Sequence, residues 1–140
     1  MPDSITNIGR SAFAGCTNLT NIVIPDGITR LRPNVFKGCT RLNNVTIPNS
    51  IVGIEFGAFR DCTSLTNVAI GSRATIVGTE AFQQCINLAG IYFQGNAPIV
   101  GQDVFDGATN ATVYYLPGTT GWGAEFGGRP AMLWTNAPGH

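Results

Sequence analysis

Few residues in this chain could do chemistry, and their spacing argues against most of it. Cys16, Cys39, Cys62 and Cys85 recur every 23 residues. Zinc-binding cysteines come in pairs about two to four residues apart, so this interval is not a ligand pattern and no metal is expected. The single histidine, His140, is the last residue, behind a Pro-Gly pair. A Ser-His-Asp or Cys-His relay would therefore lack a placed base. No H-E-x-x-H, G-x-S-x-G or phosphate-binding Gly-Lys-Ser/Thr sequence occurs, so no catalytic residues and no cofactor are expected. Asp3 and Asp26 stand one 23-residue stride apart, but Asn49 and Ser72 continue their column, which suits turn capping better than paired-acid chemistry. Arg32 and Glu55 are also one stride apart and read as an exposed ion pair of little worth.

The same stride governs the rest of the chain. Phe13, Phe36, Phe59, Phe82 and Phe105 keep it, as do Leu19, Leu42, Leu65 and Leu88, and Pro2, Pro25 and Pro48. A fixed period in this range means stacked units rather than one globular core. The phenylalanine and cysteine columns are the predicted structural core. Stacked cysteines would have Cα atoms roughly 5 Å apart, within reach of a disulfide. Parallel side chains point alike, however, so free buried thiols that hydrogen-bond the turn backbone are expected.

Composition agrees with strands and turns. Gly numbers 18, and charged residues make up only 11% of the 140 residues, with eight basic and eight acidic side chains cancelling. That leaves no electrostatic footprint for nucleic acid or an anionic membrane. No apolar run approaches the ~20 residues of a membrane-spanning helix, so no membrane insertion is expected. The N-terminus carries no basic-then-apolar signal pattern. Met1-Pro2-Asp3-Ser4-Ile5 aligns with Ile24-Pro25-Asp26-Gly27-Ile28, so the chain opens in mid-repeat. The expectation is a fragment of a longer array, or a first coil that self-associates or meets a partner.

One unit runs Leu19-x-x-Ile22-x-Ile24-Pro25-x-x-Ile28-x-x-Leu31, then Phe36-x-x-Cys39. Leu-x-x-Ile-x-Ile is a strand with Ile22 and Ile24 inward, and proline ends it for want of an N–H. Ala-Phe-x-x-Cys reads as a turn or short helical arc that drives Phe inward. Later units decay: Gly71 replaces the proline, Ala108 the cysteine and Ala111 the leucine. The predicted fold is a right-handed repeat solenoid of about five coils over residues 1–117, the first truncated, with a cap and tail at 118–140. A closing strand at Gly128–Trp134 carries the cap, with Trp122, Phe126 and Trp134 as plugs over the core. These aromatics read either as cap packing, the preferred assignment, or as a ligand-stacking site.

With that unit laid out, the chain closely resembles the BspA-like (Treponema-type) leucine-rich repeat of bacterial surface proteins. The motif Ile-Pro-Asp-x-Ile-Thr-x-x-x-x-x-x-Phe-x-Gly-Cys-Thr-x-Leu, read from Ile24 to Leu42, carries the resemblance. It implies an extracellular or cell-surface module for protein binding and adhesion, with no shared catalytic residues.

The outward columns of the strands form the candidate binding face. They read Asn21, Asn44, Asn67, Gly90, Val113 and Val23, Thr46, Ala69, Tyr92, Tyr115. Tyr92 and Tyr115 offer contact area with a polar tip. Alternatively, the Asn column is a ladder of side-chain hydrogen bonds and the tyrosines cover an edge. The expected function is a non-catalytic module that binds a protein or cell-surface ligand. The alternatives are a structural spacer that self-associates through its N-terminal edge and, further off, a carbohydrate-binding or enzymatic domain near Trp122 and Tyr115. Three sequons, at Asn18, Asn44 and Asn110, carry little weight in a repeat so rich in Asn and Thr.

Overall fold

A computed structural model describes residues 1–135 as a chain that winds through two parallel sheets. The strands in chain order are β1 (Arg30–Leu31), β2 (Asn44–Ile47), β3 (Gly53–Ile54), β4 (Asn67–Ile70), β5 (Ile76–Val77), β6 (Gly90–Phe93), β7 (Ile99–Val100), β8 (Thr112–Tyr115), β9 (Glu125–Phe126) and β10 (Arg129–Leu133). One sheet has the order β1-β3-β5-β7, the other β2-β4-β6-β8-β10-β9. The larger sheet is built by the Ile-x-Ile alternation. Val45, Ile47, Val68, Ile70, Ile91 and Phe93 are buried, while Asn44, Thr46 and Asn67 face out. His140 lies outside the described residues.

The Phe segments form a third side of each coil, made of successive turns rather than a helical arc. The residues two before and two after each Phe of the 23-residue column are left-handed: Asn34 (φ 56) and Gly38 (φ 74) flank Phe36, and Glu80 (φ 58) and Gln84 (φ 60) flank Phe82. A right-handed helix cannot pass through such positions. Instead the backbone ladders onto the next coil, with the Phe36 amide donating to the Ala58 carbonyl and the Phe59 amide to that of Ala81 (2.9 and 2.8 Å). The phenylalanine rings consequently stack, at centroid separations of 5.5, 5.3, 5.3 and 5.7 Å from Phe13 to Phe105.

The cysteines occupy the same side as free thiols. Cys39, Cys62 and Cys85 are buried, and each Sγ donates to a carbonyl of the preceding coil, those of Phe13, Phe36 and Phe59 (3.1–3.2 Å). Two core expectations need correction. Cys16 is exposed and Phe13 only half-buried, because among the described residues no coil packs against their outer side. Burial raises the thiol pKa of the other three, pushing Cys85 up to about 12 from the ordinary 9.0. A raised pKa favours the folded protein while thiols stay protonated, so this contribution is full below about pH 9 and fades as the pH climbs towards 12. Thiol titration of the native protein is therefore expected to find only Cys16 reacting promptly, with all four cysteines reacting in denaturant. Prompt reaction of Cys62 at neutral pH would contradict the buried ladder.

Ion pairs are confined to the surface. Arg32 meets Glu55 at 3.6 Å and Arg60 meets Glu80 at 2.9 Å, both partly solvated and of small worth. Among the described residues no helix is long and apolar enough to cross a membrane.

The C-terminal end is closed by a hairpin. β9 and β10 pair antiparallel across Gly127 and Gly128, both at positive φ as a tight primed turn requires. β10 then pairs parallel with β8, and the Arg129 Nε donates to the Ala111 carbonyl at 2.8 Å. Phe126 drops into the core end, edge-on to Phe93 at 5.2 Å and beside Trp122 at 5.3 Å. The Trp122 indole N–H is satisfied by the Thr119 hydroxyl at 3.0 Å.

Candidate functional site

The outer face of the larger sheet is reached through register. β2, β4 and β6 keep the 23-residue phase, aligning Asn44, Asn67 and Gly90 in one column and Thr46, Ala69 and Tyr92 in the next. Val23 joins by a single bridge to Thr46 and is 77% exposed, and Asn21 is exposed beside it. Asn44 and Asn67 do not bond each other directly. The Thr66 hydroxyl links them, donating to Asn44 Oδ1 (3.3 Å) and accepting from Asn67 Nδ2 (3.4 Å).

At β8 the phase slips by one residue. Val113 pairs with Ile91 and is fully buried, so Tyr114, not Tyr115, lies beside Tyr92. The expected outward placement of Val113 and Tyr115 is corrected accordingly. The reason is in the sequence: two residues separate Leu88 from Ile91, but only one separates Ala111 from Val113. A one-residue shift exchanges the two faces of a strand. Val113 fills the core better than a tyrosine with a hydroxyl to solvate. Tyr115 instead aligns with Phe93 and stacks flat on Trp122 (5.0 Å, 4°) as part of the cap.

Trp134 also departs from expectation. β10 aligns Met132 with Tyr114, which sets Met132 outward, and Trp134 two residues on shares its side. Trp134 does not plug the core; it leans on Tyr92 (5.0 Å, 53°). Tyr92 itself stacks on Tyr114 (5.0 Å, 10°), its ring lying over Gly90, where a Cβ would come within 2.7 Å of it. Glycine is what lets this ring lie down. Tyr92, Tyr114 and Trp134, with half-exposed Met132 and Leu133, line a cleft of about 290 Å³.

A second concavity adjoins it at the strand ends. The column after the strands reads Pro25, Pro48, Gly71, Gln94. Pro48 and Gln94, two coils or roughly 9.6 Å apart, both line an open notch of about 490 Å³. Asp26, Asn49, Ser50 and Arg73 complete its polar wall. Asn49 Oδ1 accepts from the Ser72 amide and hydroxyl (2.8 and 3.2 Å), leaving its N–H₂ to donate. The Ser50 hydroxyl oxygen is buried without a partner among the described residues. Stacking and hydrogen bonding are the chemistry this face offers. The sequence reading missed Tyr114, Arg73 and Gln94, and for Trp134 it preferred a core plug to the ligand-stacking alternative; the shortened Ala111–Val113 interval and the broken proline column were the signals that could have found the three.

Comparison with known proteins extends this picture. Residues 1–112 match the family model described as BspA type leucine rich repeat region, in six copies. Among solved structures, a T. pallidum leucine-rich repeat protein has a similar fold (23% identity, TM-score 0.75, covering 81% of this chain and 56% of that one). A leucine-rich repeat protein from Bacteroides ovatus is 25% identical (TM-score 0.56, 82% and 36% covered). A leucine rich cell surface protein from Faecalibacterium prausnitzii is 28% identical (TM-score 0.61, 72% and 27% covered). The chain thus spans 56% of the first structure's length and smaller shares of the other two. No curated protein sequence matches it.

Proposed function

The chain belongs to the BspA-type leucine-rich repeat family, and from that premise we propose that it is a non-catalytic binding module, serving protein interaction or adhesion outside a bacterial cell. The observation that carries this reading is the cleft of half-buried Tyr92, Tyr114 and Trp134 on the outer face of the larger sheet. Solenoids bind on such extended faces, and clustered aromatic residues are typical interface anchors. The F. prausnitzii relative is described as a cell surface protein, which supports the location.

The test is a panel of purified extracellular-matrix and cell-surface proteins passed over the immobilised full chain. The wild type is expected to retain at least one partner. Tyr92→Ala/Tyr114→Ala is expected to weaken that binding roughly tenfold or more, ~1.4 kcal/mol, with thermal unfolding little changed. Equal retention by the double variant would remove this face from the function.

A further inference from the structure

The aromatic cleft and the polar notch are joined by one strand. Tyr92 and Gln94 are two residues apart, about 6.6 Å along the backbone, and both belong to the outer face. A ligand lying along this line meets the aromatic side chains of the cleft and then planar polar groups. The notch offers both donors and acceptors: the Asp26 carboxylate, the Asn49 and Gln94 amides and the Arg73 guanidinium. Asp26 and Arg73 offset each other, so the site does not call for a charged ligand.

The backbone beneath is already engaged. β4 pairs with β2 and β6, and β6 with β4 and β8, so an extended peptide finds no strand edge to join here. The complement to this face has a flat apolar side, many groups that donate and accept at once, and no net charge. Sugar rings have that chemistry, stacking their C–H face on an aromatic ring while their hydroxyls bond planar side chains. Resting on the reading of this face as the binding surface, we propose that it takes a neutral saccharide chain. One ring sits in the cleft of Tyr92, Tyr114 and Trp134, and the hydroxyls of the next are held by Gln94, Asn49 and Arg73.

The experiment is titration of the full chain, by calorimetry and tryptophan fluorescence, with maltohexaose, cellohexaose, chitohexaose and mannohexaose. A heparin hexasaccharide serves as the charged comparison. At least one neutral hexasaccharide is expected to bind saturably. Tyr92→Ala and Trp134→Ala should each weaken it roughly tenfold or more, and Arg73→Ala by less. Binding of none of the neutral sugars overturns the proposal, as does binding that is confined to heparin or indifferent to Tyr92→Ala. A doubled mass in light scattering that Tyr92→Ala reverses would give the face to a second copy and also overturn it. If the sugars fail while protein binding still falls in Tyr92→Ala/Tyr114→Ala, only the ligand class is lost; if both fail, the face itself is.

Discussion

Phe59→Ala is expected to abolish the single cooperative thermal transition, or to lower its midpoint by on the order of 10 °C or more. Phe59 is fully buried at the centre of the ring stack, 5.3 Å from Phe36 on one side and 5.3 Å from Phe82, nearly parallel, on the other. Truncating a buried Phe costs roughly 3–5 kcal/mol, and each lost ring pair adds about 0.5–1.5 kcal/mol. Domains of this size hold only ~5–15 kcal/mol in total. Position matters as much as magnitude, because each coil is held only by its neighbours. A void at the middle coil weakens both interfaces through which the two halves communicate. Circular dichroism on heating reads the effect, with Arg41→Ala, an exposed change, as the control expected within ~0.5 kcal/mol. A melt matching that of the control would show that the phenylalanine column is not the spine of the fold.

What was legible in the sequence was whatever the 23-residue period repeats. The Ile-x-Ile strands, the Phe and Cys columns and the Arg32–Glu55 pair all follow from side chains recurring in phase, since a parallel ladder sets each residue on its counterpart. The candidate site is where the phase breaks, and phase reasoning misplaced it. Tyr115 looked outward only if the last coil kept 23 residues; the interval from Ile91 to its partner Val113 is 22, which puts Tyr114 on the face instead. Trp134 looked like a plug because it follows the repeat, yet the pairing of β10 with β8 turned it outward. Gln94 reads as decay of a proline column, whereas it lines the polar notch. The left-handed residues around each Phe were illegible for another reason. Asn34, Gly57, Glu80 and Asp103 share one conformation through four residue types, so the backbone ladder selects it and side-chain identity does not.

Phe126→Ala, by contrast, is expected to unravel one end and spare the rest. Phe126 is 7% exposed and fills the last open layer of the core against Phe93, Trp122 and Phe105, the last at 6.4 Å. Its loss carries a similar cost, roughly 3–5 kcal/mol, but only the terminal interface bears it. Among the described residues β9 has no partner besides β10, and β10 is held to the solenoid by its pairing with β8 and by the Arg129 bond to Ala111. Hydrogen exchange should therefore show β8 and β10 losing protection while β2 and β4 keep theirs. Tryptophan emission should shift to the red as Trp122 leaves Tyr115 and Phe93. The binding face is tied to this event, since Trp134 follows β10 directly and reaches Tyr92 only while that strand is docked. Phe126→Ala should weaken binding at the aromatic cleft about as much as Trp134→Ala does, although Phe126 lies inside the core and no ligand could touch it. Uniform loss of protection along the whole chain would mean that the cap and the repeats unfold as one unit. Full protection of β10 with unchanged binding would mean that the hairpin does not depend on its plug.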